Sequence, residues 1–151
     1  NIKGENLMTT DIWEEYRNQS DQTICIVGVL ILSAKLCTAD GKKLSLYEKD
    51  AILNEFKTTD TKERQAILDI LDKASIDKNS IEYHAERIKK FVDPTHKNFL
   101  KFVVATLVKF AKSDHHYSDE EQKIISKVAG VFELNEEKKS IFERLKKIKL
   151  N

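Results

Sequence analysis

One stretch of this chain constrains its fold more than any other: residues 21–39 are apolar over most of a helical circumference. Because such a helix has no face that prefers water, other helices must surround it. Its continuous apolar run, residues 24–34, ends at Lys35, well short of the roughly 20 residues needed to cross a bilayer. The segment is therefore predicted to be the central buried helix of a bundle.

A second segment has the same character. It follows Pro94 and extends to about Lys112, and we expect Pro94 to lie in the first turn of its helix. Apolar side chains nearly surround this segment too: Phe99, Leu100, Phe102, Val103, Val104, Leu107, Val108, Phe110 and Ala111. It is predicted to be the counterpart, in the second half of the chain, of the first buried helix.

Helix starts are signalled by Ser, Asp or Asn followed three residues later by Glu, the pattern of a capping box. The four pairs are Ser45 with Glu48, Asp60 with Glu63, Asn79 with Glu82, and Ser118 with Glu121. Apolar stripes at helical spacing follow them, and these faces are predicted to build the core. The stripes are Leu46, Ile52, Leu53 and Phe56; Ile67, Ile70, Leu71 and Ala74; Ile81, Ala85, Ile88 and Phe91; and Ile124, Ile125 and Val128.

Two further helices are predicted at the ends of the chain. A short one over residues 10–18 carries the single tryptophan, Trp13, with Ile12 and Tyr16 on the same side. The last begins at about Asn135 and buries Ile141, Phe142, Leu145 and Ile148. Since no strand-like alternation and no Gly/Ser-rich linker occurs, the sequence predicts an all-α, single-domain bundle of about seven to eight helices.

Charge narrows the classes of partner. Charged residues make up 34% of the chain, but the net charge is only +1, so no bulk positive field would attract nucleic acid. The lysines of the last helix are interleaved with glutamates, which favours a solvated face over a binding patch. The chain begins at Asn1 without a signal-peptide pattern, and we expect it to be a fragment of a longer protein.

The chain also contains an internal two-fold repeat. Residues 34–41, followed by Ser45 and Glu48, match residues 108–115, followed by Ser118 and Glu121. Each copy is a hydrophobic helix, a short acidic loop and a capped helix. We expect the two halves to pack about a pseudo-twofold axis.

An aspartate stands at the end of the hydrophobic helix in each copy, Asp40 in the first and Asp114 in the second. The C-terminus of a helix already carries partial negative charge, so the carboxylate needs compensation from a lysine, from backbone N–H groups or from a cation. Together with Glu48 and Glu121, these aspartates offer the oxygen ligands that Ca²⁺ prefers. Capping boxes explain both glutamates equally well, and neither loop has the ligand spacing of an EF-hand.

Histidines and cysteines give no catalytic pattern. His115 and His116, beside Asp114, fit either solvated loop residues or transition-metal ligands. Cys25 and Cys37 are predicted to be structural thiols, and a hydrolase would need His84 or His96 brought onto one of them. No G-x-S-x-G, Gly-rich phosphate loop or H-E-x-x-H motif occurs, so the chain is predicted not to be an enzyme.

Ala39-Asp40-Gly41 with Ser45 and Glu48, and Ser113-Asp114 with Ser118, Glu120 and Glu121, resemble the TerB-like family. The resemblance covers about residues 25–148. That family includes tellurite-resistance TerB proteins and the N-terminal cytoplasmic domain of DjlA-type, membrane-anchored DnaJ-like co-chaperones. The sequence departs from the family pattern in two places. The loop between Asp40 and Ser45 is one residue longer than the loop between Asp114 and Ser118, and His115 stands where the family usually has glycine.

The resemblance implies a TerB-like domain over residues 21–151, preceded by an N-terminal extension over residues 1–20. It implies a non-enzymatic interaction or regulatory module, linked to chaperones or to stress, that binds a protein partner such as chaperone machinery or a membrane-associated complex. Cytoplasmic placement, with a tether to the inner membrane outside this chain, would follow. The family's proposed metal site would carry over to Asp40, Glu48, Asp114 and Glu121, with a divalent cation such as Ca²⁺. A J-domain is absent from the sequence, because it contains no His-Pro-Asp triplet.

Overall fold

The predicted central helix is present, and it is the element around which the others pack. In the computed structural model, residues 11–16, 18–39, 41–113 and 118–134 are described. The helix, α1 (Asp21–Cys37), has eleven buried residues among its 17 and contacts all of the other α-helices that the structure describes. Ser20 begins it by accepting a hydrogen bond from the backbone N–H of Thr23.

Five more α-helices complete the described bundle: α2 (Leu46–Glu55), α3 (Thr61–Ile76), α4 (Ile81–Phe91), α5 (Lys97–Ser113) and α6 (Asp119–Val131). A single 3₁₀ turn (Ile12–Glu15) precedes α1, and no strand occurs in the described ranges. The all-α prediction is confirmed. Six α-helices are described where seven to eight were predicted, and the predicted last helix, with Ile141, Phe142, Leu145 and Ile148, lies outside the described residues.

In residues 11–16, the described part of the N-terminal helix predicted over residues 10–18, only this 3₁₀ turn forms. Asp11 caps it by accepting a hydrogen bond from the backbone N–H of Trp13, and the turn ends at Tyr16. Trp13 is 1% exposed and packs in the core.

The second hydrophobic helix, α5, is more exposed than the sequence predicted. Phe102 is 45% exposed, and Lys101, Ala105 and Lys109 are also exposed. The proline before this helix does not lie in its first turn either. Pro94 sits in a separate turn in which Asp93 accepts hydrogen bonds from both the backbone N–H and the hydroxyl of Thr95, and α5 begins only at Lys97.

The internal repeat extends into the way the helices contact one another. The hydrophobic helices α1 and α5 pack together, and each of the capped helices, α2 and α6, contacts both of them. Both capped helices also end alike, with a phenylalanine at the C-cap and a left-handed residue after it: Phe56 with Lys57, and Phe132 with Glu133. These contacts have the pattern that a pseudo-twofold arrangement requires.

Candidate functional site

The two capping boxes of the repeat form as predicted. Ser45 accepts from the backbone N–H of Glu48 at 3.1 Å, and Glu48 Oε1 accepts from the backbone N–H of Ser45 at 2.8 Å. The second box is nearly identical, with 3.1 Å from the Glu121 N–H to Ser118 and 2.9 Å from the Ser118 N–H to Glu121 Oε1. One oxygen of each glutamate therefore serves the helix start.

The aspartates of the predicted metal site, Asp40 and Asp114, lie outside the described residues, as do His115 and His116. Gly41, directly after Asp40, has φ +84°, a left-handed conformation that glycine adopts without steric cost. Among the residues that the structure describes, no group of three or more His, Cys, Asp or Glu side chains is arranged to hold a metal ion. The four-carboxylate site thus stays a prediction.

The other two predicted boxes do not form. Asp60 is the N-cap of α3 but makes no side-chain capping hydrogen bond, and Glu63 instead accepts from the hydroxyl of Thr58 at 2.7 Å. At α4 the cap is Ser80 rather than Asn79, and Ser80 accepts from the backbone N–H of Tyr83. Asn79 is turned back towards Asp77, whose carboxylate accepts from both its backbone and its amide N–H groups.

A buried polar network, which the sequence analysis did not identify, surrounds His84. This residue is fully buried on α4, where Trp13 Nε1 donates to its Nδ1 at 3.1 Å and its Nε2 lies 2.6 Å from Asp77 Oδ2. Lys35 of α1 also bonds to Asp77, with Nζ 3.1 Å from Oδ2 and a second hydrogen bond to the backbone carbonyl. The network joins α1, the connection between α3 and α4, and the N-terminal turn.

Protonation within this network follows from its geometry. An indole N–H can only donate, so Nδ1 of His84 is the acceptor and Nε2 carries the proton that bonds to Asp77. Burial lowers the pKa of His84 below its ordinary value, and this effect outweighs the Asp77 carboxylate, which favours the charged ring. Burial alone would raise the pKa of Asp77, but hydrogen bonds from His84 and Lys35 lower it instead.

Tyr83 and Arg87 hold the other end of the N-terminal turn. Arg87 Nη2 donates to the Tyr83 hydroxyl at 2.9 Å, and that hydroxyl donates to the carboxylate of Asp11. Arg87 Nε lies 3.8 Å from the same carboxylate, and its guanidinium carbon sits 4.8 Å from the centre of the Tyr83 ring. Two adjacent residues of α4, Tyr83 and His84, therefore both bind the turn.

Cys25 lacks the environment of a nucleophile. Cys25 is buried, and burial raises the pKa of its thiol to about 12, so the reactive thiolate is scarce at neutral pH. The two described histidines pair with carboxylates, His84 with Asp77 and His96 with Asp21 at 2.6 Å.

No helix in the described part of the chain is both long and apolar enough to cross a membrane.

Comparison with known proteins decides the family. The family model described as tellurite resistance protein TerB matches residues 27–145, which is most of the chain. The chain belongs to the TerB family. No curated protein and no solved structure gives a significant match. The matched range includes both acidic loops and all six described α-helices apart from the start of α1.

Proposed function

We propose that this TerB-family chain is a non-enzymatic interaction module that binds a partner protein through an apolar rim formed by Leu46, Tyr47 and Ile76. The observation that supports this proposal is exposure: Leu46 and Ile76 are each 79% exposed, and Tyr47 is 61% exposed. Leu46 was expected from the sequence to pack in the core, and the structure corrects that. Clustered exposed apolar residues mark interaction sites more often than scattered ones do.

The three residues lie towards the same end of a helical hairpin. Helices α2 and α3 are in contact and are joined by the short connection 56–60, so they run roughly antiparallel. The ion pair between Lys49 and Asp72, 3.5 Å long, sets the start of α2 beside the end of α3. Leu46 and Ile76 each lie about one turn beyond that ion pair, in the same direction.

Helix formation does not require apolar residues at the start of α2. The cap is made by Ser45 and Glu48, and the corresponding positions in the second half of the repeat are Asp119 and Glu120. Acidic side chains suit a helix N-terminus because they oppose its partial positive charge. The first half therefore has an apolar surface where the second has a charged one, which is the difference expected if only the first binds a partner at this turn.

For the biological setting, we propose a role linked to chaperones or to stress, as the regulatory region of a DnaJ-like co-chaperone or as a tellurite-resistance-type protein. The family match supports the tellurite-resistance setting directly. The co-chaperone setting carries with it a cytoplasmic location and a tether to the inner membrane, provided by a segment outside this chain. A thiol-based hydrolytic mechanism is disfavoured by the buried, weakly acidic thiol of Cys25.

Site-specific photocrosslinking in cells tests the apolar rim. A benzophenone amino acid placed at Leu46 or at Ile76 of the protein should crosslink to one common partner. Ala66, which is exposed on α3 nearly three turns before Ile76, is the matched control position. With the purified partner, Leu46→Ser and Ile76→Ser should each weaken binding at least tenfold, the loss expected when these residues are hot spots of the interface. Equal crosslinking from Ala66, or unchanged affinity of both serine variants, would contradict the proposal.

We propose a divalent-cation sensor as the second candidate. It is favoured by the matching geometry of Glu48 and Glu121, which the two capping boxes orient in the same way at both loops. Asp40 and Asp114 would complete the ligand set, and Ca²⁺ is the cation that such oxygen ligands prefer.

A further inference from the structure

The N-terminal strap, defined as residues 11–16, is held on the bundle by one deeply buried side chain. The Trp13 ring lies between Phe91 and His84 of α4, with ring centroids 5.9 and 6.5 Å away. It also covers α1 at Gly28, since a Cβ added there would lie 3.6 Å from Trp13 Cη2. The indole thus fills an apolar slot between α1 and α4, and its N–H is the only polar group it brings there.

The indole N–H of Trp13 has a hydrogen-bond acceptor only while His84 is neutral. The ring accepts from Trp13 at Nδ1 and donates to Asp77 at Nε2, so both nitrogens are already used. A proton added to Nδ1 would face the indole N–H, leaving two donors opposed and the indole without an acceptor. An unsatisfied buried donor of this kind is costly, and separation of the two groups relieves it.

Three charged groups face this histidine: Asp77 and Asp11 favour a charged ring, and Lys35 opposes it. Asp77 comes from the connection between α3 and α4, and Lys35 of α1 pairs with it at 3.1 Å. Asp11 comes from the strap itself and is paired with Arg87 of α4, with the Tyr83 hydroxyl between them. Each carboxylate already has a cationic partner, so its negative charge only partly offsets the burial that disfavours a charged His84.

We propose that the strap is an acid-released latch, in which protonation of His84 expels Trp13 from its slot while the six helices stay folded. When Trp13 leaves, Nδ1 of His84 becomes accessible to water and the ring can take up a proton beside Asp77. The exposed slot would then present Gly28, Ile88 and Phe91 as an apolar surface. This device is independent of the apolar rim and of any cation, so its failure would leave the proposed function standing.

The direction of the pH effect follows from linkage. The pKa of His84 is lowered while the strap is bound, so the released state binds more protons and acid favours it. The closed strap has its full stability above the ordinary histidine value of 6.5 and loses stability as the pH falls below it. In that window, the ratio of open to closed strap rises by up to tenfold for each pH unit.

The single tryptophan makes the test direct. The emission of Trp13 and its quenching by acrylamide are measured on the full chain from about pH 8 to about pH 5, a range in which histidine is the main titrating side chain. We expect emission to move to longer wavelength and quenching to increase below pH 6.5, with the helical circular dichroism unchanged. Loss of the helical signal over the same range would overturn the proposal, because it would mean global unfolding.

Two variants assign the effect to one histidine. His84→Gln cannot titrate, but its amide can both accept from Trp13 and donate to Asp77, so its emission should be independent of pH. His96→Gln is the matched control, since His96 also pairs with an aspartate at 2.6 Å yet lies at the surface. That variant should keep the wild-type transition. A transition that survives in His84→Gln would overturn the proposal.

A measurement on the unmodified chain guards against misfolding of the variant. Nitrogen-detected NMR of the four histidine rings gives the tautomer and the titration of His84 directly. The ring should be protonated at Nε2 alone near neutral pH, and its titration should coincide with the exposure of Trp13. A His84 that becomes charged while Trp13 stays buried would refute the latch.

Discussion

At Gly28 the backbone of α1 lies directly against the side chain of Ile88 on α4. A Cβ built on Gly28 would stand 2.5 Å from Ile88 Cδ1 and 2.8 Å from Cγ1, and Ile88 is itself fully buried. The side chain cannot swing away into solvent, so the contact explains why a helix-weakening glycine occupies the middle of the most buried helix. Trp13 reaches the same point from the strap, which makes Gly28 a joint between three elements.

Gly28→Ala should therefore destabilise the protein. The gain in helix propensity, about 1 kcal/mol, is opposed by overpacking that costs about 1–3 kcal/mol, so we expect a net loss of about 1 kcal/mol in the free energy of unfolding. Gly130→Ala is the matched control, since nothing lies within 4 Å of its added Cβ and the residue is exposed in α6. It should raise stability, by up to about 1 kcal/mol. Urea denaturation measures both, and changes of the same sign would contradict the close contact.

At the scale of elements, the four Ser/Asp/Asn-x-x-Glu signals show which helix starts a sequence can determine. Local geometry fixes a capping box, so Ser45 and Ser118 were identified correctly. At Asn79 a longer-range interaction decides the outcome. Asp77 is held by Lys35 and His84, from distant and later parts of the chain, and it draws Asn79 away, so Ser80 becomes the cap. The bond from the Asn79 N–H to Asp77 is a local Asx turn, but the sequence does not show that Lys35 and His84 hold Asp77 in place for it.

Capping hydrogen bonds should make a measurable difference between otherwise similar N-caps. Ser45→Ala removes the bond to the Glu48 N–H and should lower the free energy of unfolding by about 1 kcal/mol. Asp60→Ala, at an N-cap without such a bond, should cost less than half of that, because only a screened charge near the helix N-terminus is lost. The comparison is made by chemical denaturation at one ionic strength. Equal losses at the two positions would show that the capping box contributes nothing beyond the charge.

On the scale of the whole molecule, the sequence predicted the helical class and the duplication because hydrophobic periodicity and caps are local. It did not predict the network around His84, whose partners Trp13 and Lys35 come together only through the packing of α1, α4 and the strap. One signal was present: a tryptophan and a histidine, each polar at one end, on elements that otherwise carry core residues. The exposure of Leu46 was also missed, since a first-turn apolar residue has the same spacing whether it faces the core or solvent.

The duplication gives the cation hypothesis a test that involves both halves of the molecule. If Ca²⁺ binds only the folded chain, a free Ca²⁺ concentration 100 times the dissociation constant raises the free energy of unfolding by about 2.7 kcal/mol. For a domain of this size, that corresponds to a gain of roughly 5–10 °C in Tm. Glu48→Gln and Glu121→Gln are the informative variants, because glutamine can still complete a capping box while the charge is removed. Each should reduce the Ca²⁺-dependent shift yet leave the Tm without Ca²⁺ nearly unchanged, whereas Asp50→Asn, an exposed carboxylate within α2, should leave the shift intact. A Tm that does not respond to millimolar Ca²⁺ at matched ionic strength, or a shift that persists in both glutamine variants, would remove the predicted ligand set.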